Sequence, residues 1–202
     1  KATSIIETGT FRGYSTSFIA ENFPNTPIYT GEINGEFYRQ SKEYLKKYKN
    51  ITTYNGSSPD FLNYLIKNDL LGERPVFFLD AHWLDNWPLE EEMKIITDKK
   101  KYAIIIIDDF KVPEDDRFKF DAYGNKECSL ELILPKMNKK NRYNLLLPNY
   151  GTEIFKRTDH PDLTGYPIIF QNSKKILESL KENEFVKKYF IDKSYLLNNI
   201  CS

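Results

Sequence analysis

Residues 5–16 read IIETGTFRGYST, an apolar run that ends in an acid and continues into a turn with two glycines. Glu7 closes the apolar run, and Gly9 and Gly13 follow with three residues between them. Glycine allows backbone torsions and close approaches that a β-carbon would block. A helix that begins after such a turn presents free amides to an anion. The stretch predicts a strand, a turn and a helix; either the turn holds a ligand or it simply needs glycine.

The first half of the chain alternates between two patterns. Apolar runs typical of buried parallel strands occur at 4–8, 27–32, 51–54, 76–80 and 102–109. Stretches with helical spacing occur between them at 15–22, 35–49, 59–68 and 89–100. Pro59 and Pro88 suit the first turns of two of these helices. Strand and helix in alternation predict a doubly wound α/β fold.

The pattern changes after residue 110. Residues 111–123 have no clear period, 129–136 favour a short helix, and 143–148 and 166–171 favour two strands that pair as an antiparallel hairpin at the sheet edge. The Lys-rich tail from Ser173 is predicted to be helical. We therefore expect one Rossmann-like α/β domain over 1–202. Its sheet would be seven-stranded and mostly parallel with an antiparallel last strand, and helices would cover both faces.

Composition excludes several partners. The 202 residues carry 29 Lys plus Arg and 29 Asp plus Glu, so no overall field attracts nucleic acid or an anionic membrane. No run approaches the roughly 18 apolar residues of a membrane span. Cys128 and Cys201 have no metal-binding spacing, which favours free thiols and a cytoplasmic protein. The chain starts at Lys1 without methionine, which suggests a missing N-terminal segment, and a homo-oligomer remains open.

Acids stand at the ends of the predicted strands, where open α/β sheets bind their ligands. They are Glu7, Glu32, Asp80, Asp108 and Asp109. Glu32 lies about 20 residues beyond the glycine turn, at the spacing of an acid that accepts hydrogen bonds from ribose hydroxyls. The two features together favour a nucleoside ligand. The GxxxG spacing differs from the GxGxxG of nicotinamide dinucleotide sites, which weakens a dehydrogenase interpretation.

Three of these acids also suggest a metal. Asp80, Asp108 and Asp109 would repel one another unless a cation lay between them, and Mg²⁺ prefers such oxygen ligands. The alternative is structural: Asp108 would cap the following turn and Asp109 would pair with a lysine.

Five motifs in order resemble the class I S-adenosylmethionine-dependent O-methyltransferases. They are ETGTFRGYS at 7–15, EIN at 32–34, NGSSPD at 55–60, LDAHW at 79–83 and IDDF at 107–110. The resemblance covers residues 4–110. It is greatest to the metal-dependent group that includes catechol O-methyltransferase and the macrolide and aminocoumarin sugar O-methyltransferases.

The resemblance implies a site residue by residue. The methionine part of the cofactor would be held by Glu7, Gly9, Gly13, Tyr14 and Ser15, and the ribose would be held by Glu32. The adenine would contact Ser57, Ser58, His82 and Trp83, with Asp80 beside them. Mg²⁺ would be held by Asp80, Asp108 and Asp109. Ala81 is an extra residue between the acid and the histidine. His82 and Trp83 therefore stand one residue further from the acid than the matching pair of the family.

The proton acceptor is the least defined part. A metal on the substrate hydroxyl would lower its pKa and fix its direction, so that a modest base suffices. The catechol enzyme uses a lysine, but the matching position here is Leu84. Candidate replacements are His82, Lys111, Asp85 and His160, with His82 first because histidine titrates near neutral pH. His82, Asp80 and Lys111 are thus the predicted catalytic residues.

We therefore expect transfer of a methyl group from S-adenosylmethionine to a hydroxyl of a small molecule or sugar, assisted by Mg²⁺. The alternatives are a cofactor-binding protein without transferase activity, a nicotinamide oxidoreductase, and a phosphohydrolase that uses the three aspartates. An aromatic cluster either lines the acceptor pocket or anchors its loop on the core: Phe110, Phe118, Phe120 and Tyr123. Tyr150 is a further acceptor-site candidate.

Overall fold

The computed structural model of the protein describes residues 1–82, 86–152 and 163–200, the last three by their backbone alone. Its strands are β1 Ser4–Thr8, β2 Ile28–Glu32, β3 Ile51–Asn55, β4 Pro75–Leu79, β5 Ala103–Ile107, β6 Phe118–Lys119, β7 Ala122–Tyr123, β8 Lys126–Glu127, β9 Tyr143–Pro148, β10 Leu163–Thr164, β11 Ile168–Gln171 and β12 Phe190–Asp192. Its helices are α1 Tyr14–Asn22, α2 Gly35–Leu45, α3 Ser58–Lys67, α4 Leu89–Lys99, α5 Leu130–Ile133, α6 Lys174–Lys181 and α7 Glu184–Tyr189, with 3₁₀ turns at Leu134–Lys136 and Ser194–Ile200.

Eight strands form the main sheet in the order β12-β9-β11-β5-β4-β1-β2-β3. Strands β1 to β5 pair in parallel. Strand β11 is antiparallel to both of its neighbours, β5 and β9, and β12 is antiparallel to β9. The predicted Rossmann-like fold is confirmed, with eight strands in place of seven.

Both faces of the sheet are covered, as the apolar runs require. The larger core packs Ile6, Phe77 and Ile105 of the central strands with residues of α3 and α4, among them Phe61 and Met93. All five of these side chains are at most 1% exposed. Separate clusters around Ile28 and around Phe170 lie elsewhere in the sheet. Burial on both faces explains why these strands are almost continuously apolar.

Helix starts lie beyond the carboxyl ends of the parallel strands. Asn34 caps α2 by accepting from the backbone N–H of Glu36 at 2.8 Å, and Ser57 caps α3 by accepting from that of Asp60 at 3.3 Å. Helix α4 begins directly after Pro88. The free amides at these starts therefore face the edge where the strand-end acids lie.

Two details of the second half differ from the sequence prediction. The last long strand, β11, is not at the edge, because it lies between β5 and β9. The strand at this edge is β12, which lies in the tail that was predicted to be helical. Three residues carry too short a pattern to stand out in a Lys-rich segment, and only pairing with β9 defines them as a strand.

Among the residues described, no helix combines the length and apolar character needed to cross a bilayer. Cys128 is a free, buried cysteine, and Cys201 lies outside the described residues.

Candidate functional site

A cavity of about 470 Å³ opens at the carboxyl edge of the parallel strands. Its walls come from the ends of β1, β2, β4 and β5, from the turns before α2 and α3, and from the segment around β7. The predicted site residues that line it are Gly9, Glu32, Ser58, Asp80, His82 and Asp109. The fold thus brings the glycine turn, Glu32 and the strand-end aspartates Asp80 and Asp109 together around one cavity.

The glycine turn is held by close backbone contacts. Gly9 has φ +86°, and a β-carbon there would lie 2.1 Å from the carbonyl oxygen of Asp80. Its N–H donates to the carbonyl of Gly31 at 3.0 Å. Gly13, at φ +83°, precedes α1 and packs against Leu45. Glycine at position 9 is therefore required by the packing of β1 against β4.

Glu7 lies beneath this turn and is fully buried. One carboxylate oxygen, Oε2, accepts from the hydroxyls of Thr16 and Thr30, the latter at 2.7 Å. The other, Oε1, makes no hydrogen bond of normal geometry with a described residue. Burial raises the pKa of Glu7, and the surrounding hydroxyls oppose this effect. Glu7 does not line the cavity but supports the turn that does.

Glu32 is fixed by two backbone donors. Its Oε2 accepts from the N–H of Phe11 at 2.7 Å and its Oε1 from that of Asn34 at 2.8 Å. Phe11 takes the left-handed conformation, at φ +48°, and its ring meets Phe37 edge-on with centroids 4.6 Å apart. Each carboxylate oxygen keeps a lone pair, so Glu32 can still accept a ligand hydroxyl.

The two serines of the GSS motif have different positions. Ser58 lines the cavity at the first turn of α3, with Ile33 and Gly56 nearby in the same wall. Ser57 instead caps the helix and donates to the carboxylate of Asp60 at 2.6 Å. Its hydroxyl is therefore engaged in the helix start and is not presented to the cavity.

His82 is buried in the cavity wall, with 3% of its surface exposed. Its ring stacks on Trp87 at a centroid distance of 5.7 Å. Neither ring nitrogen makes a hydrogen bond of normal geometry with a described residue. Burial lowers the pKa of His82, so the neutral imidazole is the form present at neutral pH.

The strand-end aspartates are close enough to shift one another's pKa values. Burial raises the pKa of Asp80 and of Asp108, and the neighbouring carboxylates raise both further. Asp108 Oδ1 accepts from the N–H of Asp109, which is left-handed at φ +46°. No group of three or more His, Cys, Asp or Glu side chains in the described part of the chain is arranged to hold a metal ion. The donor chemistry fits Mg²⁺, but the side-chain positions do not form a complete site.

Asp121 lines the cavity but was not predicted from the sequence, whereas Tyr123 belongs to the aromatic cluster for which an acceptor pocket and a core anchor were both left open. Asp121 lies at the cavity because its N–H donates to the Asp109 carbonyl at 2.9 Å and its own carbonyl accepts from Cys128. Tyr123 joins it and meets Trp87 edge-on at 5.9 Å. Both residues belong to segment 111–123, which has neither helical nor strand periodicity. In that segment only the aromatic cluster indicated a possible pocket. Phe110 and Phe118 from that cluster are core residues.

Other candidates lie away from the cavity. Lys111 pairs with Glu127 at 2.7 Å and is not among the lining residues. Tyr14 is 64% exposed and packs on Tyr44, and Ser15 is exposed one residue further along α1. Tyr150 is buried and donates its hydroxyl to the carbonyl of Thr164 at 2.9 Å. The remaining candidates lie outside the described residues: Trp83, Leu84, Asp85 and His160.

Comparisons with known proteins identify a family and a shared fold. A family model described as O-methyltransferase matches residues 1–122, more than half of the chain. No curated protein matches the sequence.

Solved structures that share the fold include two O-methyltransferases. The O-methyltransferase TomG from Streptomyces achromogenes, involved in tomaymycin synthesis and crystallised with S-adenosylmethionine, is 18% identical, with a TM-score of 0.56 over 85% of this chain and 74% of that one. An O-methyltransferase from Bacillus cereus in complex with S-adenosylhomocysteine is 17% identical, with a TM-score of 0.57 over 84% of this chain and 74% of that one. At these identities the likeness shows the fold alone.

Proposed function

The chain belongs to the O-methyltransferase family, and from this premise we propose that it methylates a hydroxyl of a small molecule or sugar in the cavity described above. The methyl donor is S-adenosylmethionine, as expected for a methyltransferase of this family. The reaction moves a methyl group from a sulfonium to an oxygen, so the protein must hold both reactants in line.

One observation carries the proposal: Gly9, Glu32, Ser58 and Asp80 line the same cavity. The glycine turn and Glu32 come from adjacent strands, β1 and β2. A nucleoside whose ribose hydroxyls reach Glu32 would place its base towards Ser58 and Ile33 at the start of α3. Its sulfonium would then point towards the ends of β4 and β5.

The acceptor hydroxyl would lie on the aspartate side of the cavity. Asp80, Asp109 and Asp121 line that side, and Tyr123 and His82 complete it. Carboxylates there can accept hydrogen bonds from a polyol or catechol acceptor and fix its orientation. They also attract the positively charged sulfonium, which helps to bind the methyl donor beside the acceptor.

We also propose that Asp80, Asp108 and Asp109 hold Mg²⁺ when the metal is bound. The ion would supply Lewis acidity that lowers the pKa of an acceptor hydroxyl. Support comes from the donor chemistry and from the mutual repulsion of the carboxylates.

His82 is the proposed proton acceptor. Its buried imidazole is neutral and lines the cavity, and neither ring nitrogen makes a hydrogen bond of normal geometry with a described residue. Because burial lowers the pKa of His82, the imidazole would remain able to accept a proton as the pH falls below the usual histidine range. Lys111 is not proposed, because it pairs with Glu127 away from the cavity.

The test is turnover with a defined acceptor set. The protein is incubated with S-adenosylmethionine, Mg²⁺ and either catechol or simple methyl glycosides, and S-adenosylhomocysteine is measured by mass spectrometry. We expect acceptor-dependent product that decreases on chelation of the metal. Binding of S-adenosylmethionine without turnover by any acceptor would support a binding protein, and saturable NAD binding with no S-adenosylmethionine binding would support an oxidoreductase.

A further inference from the structure

The acceptor side of the cavity is lined by acids that no base offsets. Asp80, Asp109 and Asp121 line it, and no lysine or arginine of the described part of the chain does so. Lys111, at the start of the adjoining segment, instead pairs with Glu127 at 2.7 Å. An anion in this part of the cavity would therefore be repelled, whereas a cation would be attracted.

The polar groups on this side are mainly hydrogen-bond acceptors. An ionised carboxylate can only accept. Asn86 also lines the cavity, and its side-chain amide N–H already donates to the carbonyl of Ala81 at 2.9 Å, which leaves its carbonyl oxygen as an acceptor. The Tyr123 hydroxyl is a donor on this side, and it lies 3.5 Å from Asp121 Oδ1. A ligand that fits this side must itself supply several donors.

His82 independently indicates that this part of the cavity takes a ligand. Only 3% of its surface is exposed, it lines the cavity, and neither ring nitrogen makes a hydrogen bond of normal geometry with a described residue. Buried polar atoms are rarely left in this condition. Trp87 stacks on its ring, and Tyr123 meets Trp87 edge-on. These rings form an aromatic wall beside the carboxylates, and aromatic faces also attract cations.

Asp121 is the carboxylate on this side that the proposed ion does not use. Its main chain is fixed at both ends: its N–H donates to the carbonyl of Asp109, and its carbonyl accepts from the N–H of Cys128, each at 2.9 Å. None of the ion pairs among the residues that the structure describes includes its carboxylate. The fold thus holds an uncompensated acid in place at the edge of the cavity.

We propose that the acceptor is a polyol that carries a protonated amine, such as an amino sugar, and that Asp121 binds its ammonium group beside the hydroxyl that is methylated. An ammonium has three donors and no acceptor, so it matches a wall of hydrogen-bond acceptors. The proposal rests on the proposed function, since it takes the cavity to be the methyl-transfer site.

Pairing with Asp121 also explains why the oxygen would react and the nitrogen would not. A neighbouring carboxylate favours the protonated amine, which has no lone pair to attack the methyl group. The hydroxyl oxygen is then the nucleophile. Its bond to the methyl carbon forms as the bond from that carbon to sulfur breaks, and the hydroxyl proton passes to His82.

The test compares acceptors that differ in charge. Methyl aminodeoxyglucosides with the amine at different ring positions, and neutral methyl glucoside, are titrated calorimetrically into the complex of the protein with S-adenosylhomocysteine and Mg²⁺. We expect at least one amino glycoside to bind about tenfold more tightly than methyl glucoside, and anionic methyl glucuronide not to bind. The values of kcat/KM with S-adenosylmethionine should show the same order.

Asp121→Asn keeps the shape of the side chain and removes its charge, so the preference for the amino glycoside should fall to near equality. Affinity for S-adenosylhomocysteine checks that this variant is folded. Asp116→Asn is the matched control, because Asp116 is an exposed acid of the same segment that does not line the cavity. It should keep the preference.

The outcomes separate this proposal from the proposed function. If S-adenosylhomocysteine binds but no amino glycoside binds more tightly than methyl glucoside, the acceptor is not a cation of this class. If the preference persists in Asp121→Asn, or is lost equally in Asp116→Asn, Asp121 is not the residue that binds the amine. If S-adenosylhomocysteine does not bind the unaltered protein, the proposed function itself is wrong.

Discussion

Glu32 accepts two backbone N–H groups, from Phe11 and Asn34, and these bonds join the glycine turn to the start of α2. We expect Glu32→Ala to weaken S-adenosylhomocysteine binding by about 2 kcal/mol, or about 30-fold, because the ribose acceptor and its orientation are both lost. Titration calorimetry measures this directly. Glu36→Ala, an exposed acid one turn away, is the control. Equal affinities of the two variants would exclude Glu32 from the nucleoside site.

Gly9 shows how the structure refines an expectation from sequence. The turn suggested that a side chain at position 9 would obstruct the ligand, but a β-carbon would first meet the Asp80 carbonyl, 2.1 Å away. The sequence pattern indicated that position 9 requires glycine. The reason could not be read from the sequence, because it depends on how β1 packs against β4.

We therefore expect Gly9→Ala to destabilise the fold by about 2–3 kcal/mol, from the backbone clash and from strain at φ +86°. Gly35→Ala is the matched control. It lies at the start of α2, the nearest atom to its added β-carbon is 3.8 Å away, and it should be neutral or slightly stabilising. Chemical denaturation compares the two. Unfolding midpoints that fall equally would contradict a specific contact with Asp80.

The buried Glu92 should also make stability depend on pH. Its ordinary pKa of 4.5 applies in the unfolded chain, and burial raises the pKa in the folded protein to about 7. Between these values the unfolded chain loses its proton first, so the free energy of unfolding falls as pH rises and then levels off.

From pH 5 to pH 8 we expect the unaltered protein to lose on the order of 2–3 kcal/mol more stability than Glu92→Gln. Urea denaturation at both pH values measures this difference. Equal losses of stability in the two proteins would mean that folding does not raise the pKa of Glu92.

At the scale of elements, two neighbouring serines at the start of helix α3 have different roles. Ser57 caps the helix, whereas Ser58 lines the cavity. We expect Ser57→Ala to cost about 1 kcal/mol of stability with little change in S-adenosylhomocysteine affinity. Ser58→Ala should show the reverse. Thermal denaturation and calorimetry on both variants test the assignment, and loss of affinity in Ser57→Ala alone would reverse it.

The parallel strands were the most predictable elements, because a strand buried on both faces must be apolar throughout. Strand β1 was predicted with its observed limits, Ser4–Thr8. The short strands β6, β7 and β8 were not predicted, since two-residue strands have no period and exist only through their pairing. Strand β12 was not predicted for the same reason.

For the whole molecule, the strand order determines the site. Acids as far apart in sequence as Glu7 and Asp109 become neighbours because β5, β4, β1 and β2 lie side by side. The principle that ligands bind at carboxyl ends of parallel strands made this convergence predictable. Asp121 and Tyr123 were not predictable in this way, because backbone bonds to Asp109 and Cys128, formed only in the fold, bring their segment to the cavity.

The most direct measurement is a crystal structure of the protein with S-adenosylhomocysteine and Mg²⁺. We expect the ribose hydroxyls on Glu32, the base beside Ser58, and the ion among Asp80, Asp108 and Asp109. A nucleoside bound away from the glycine turn, or an ion with no aspartate ligand from β4 or β5, would contradict the proposed methyl-transfer site.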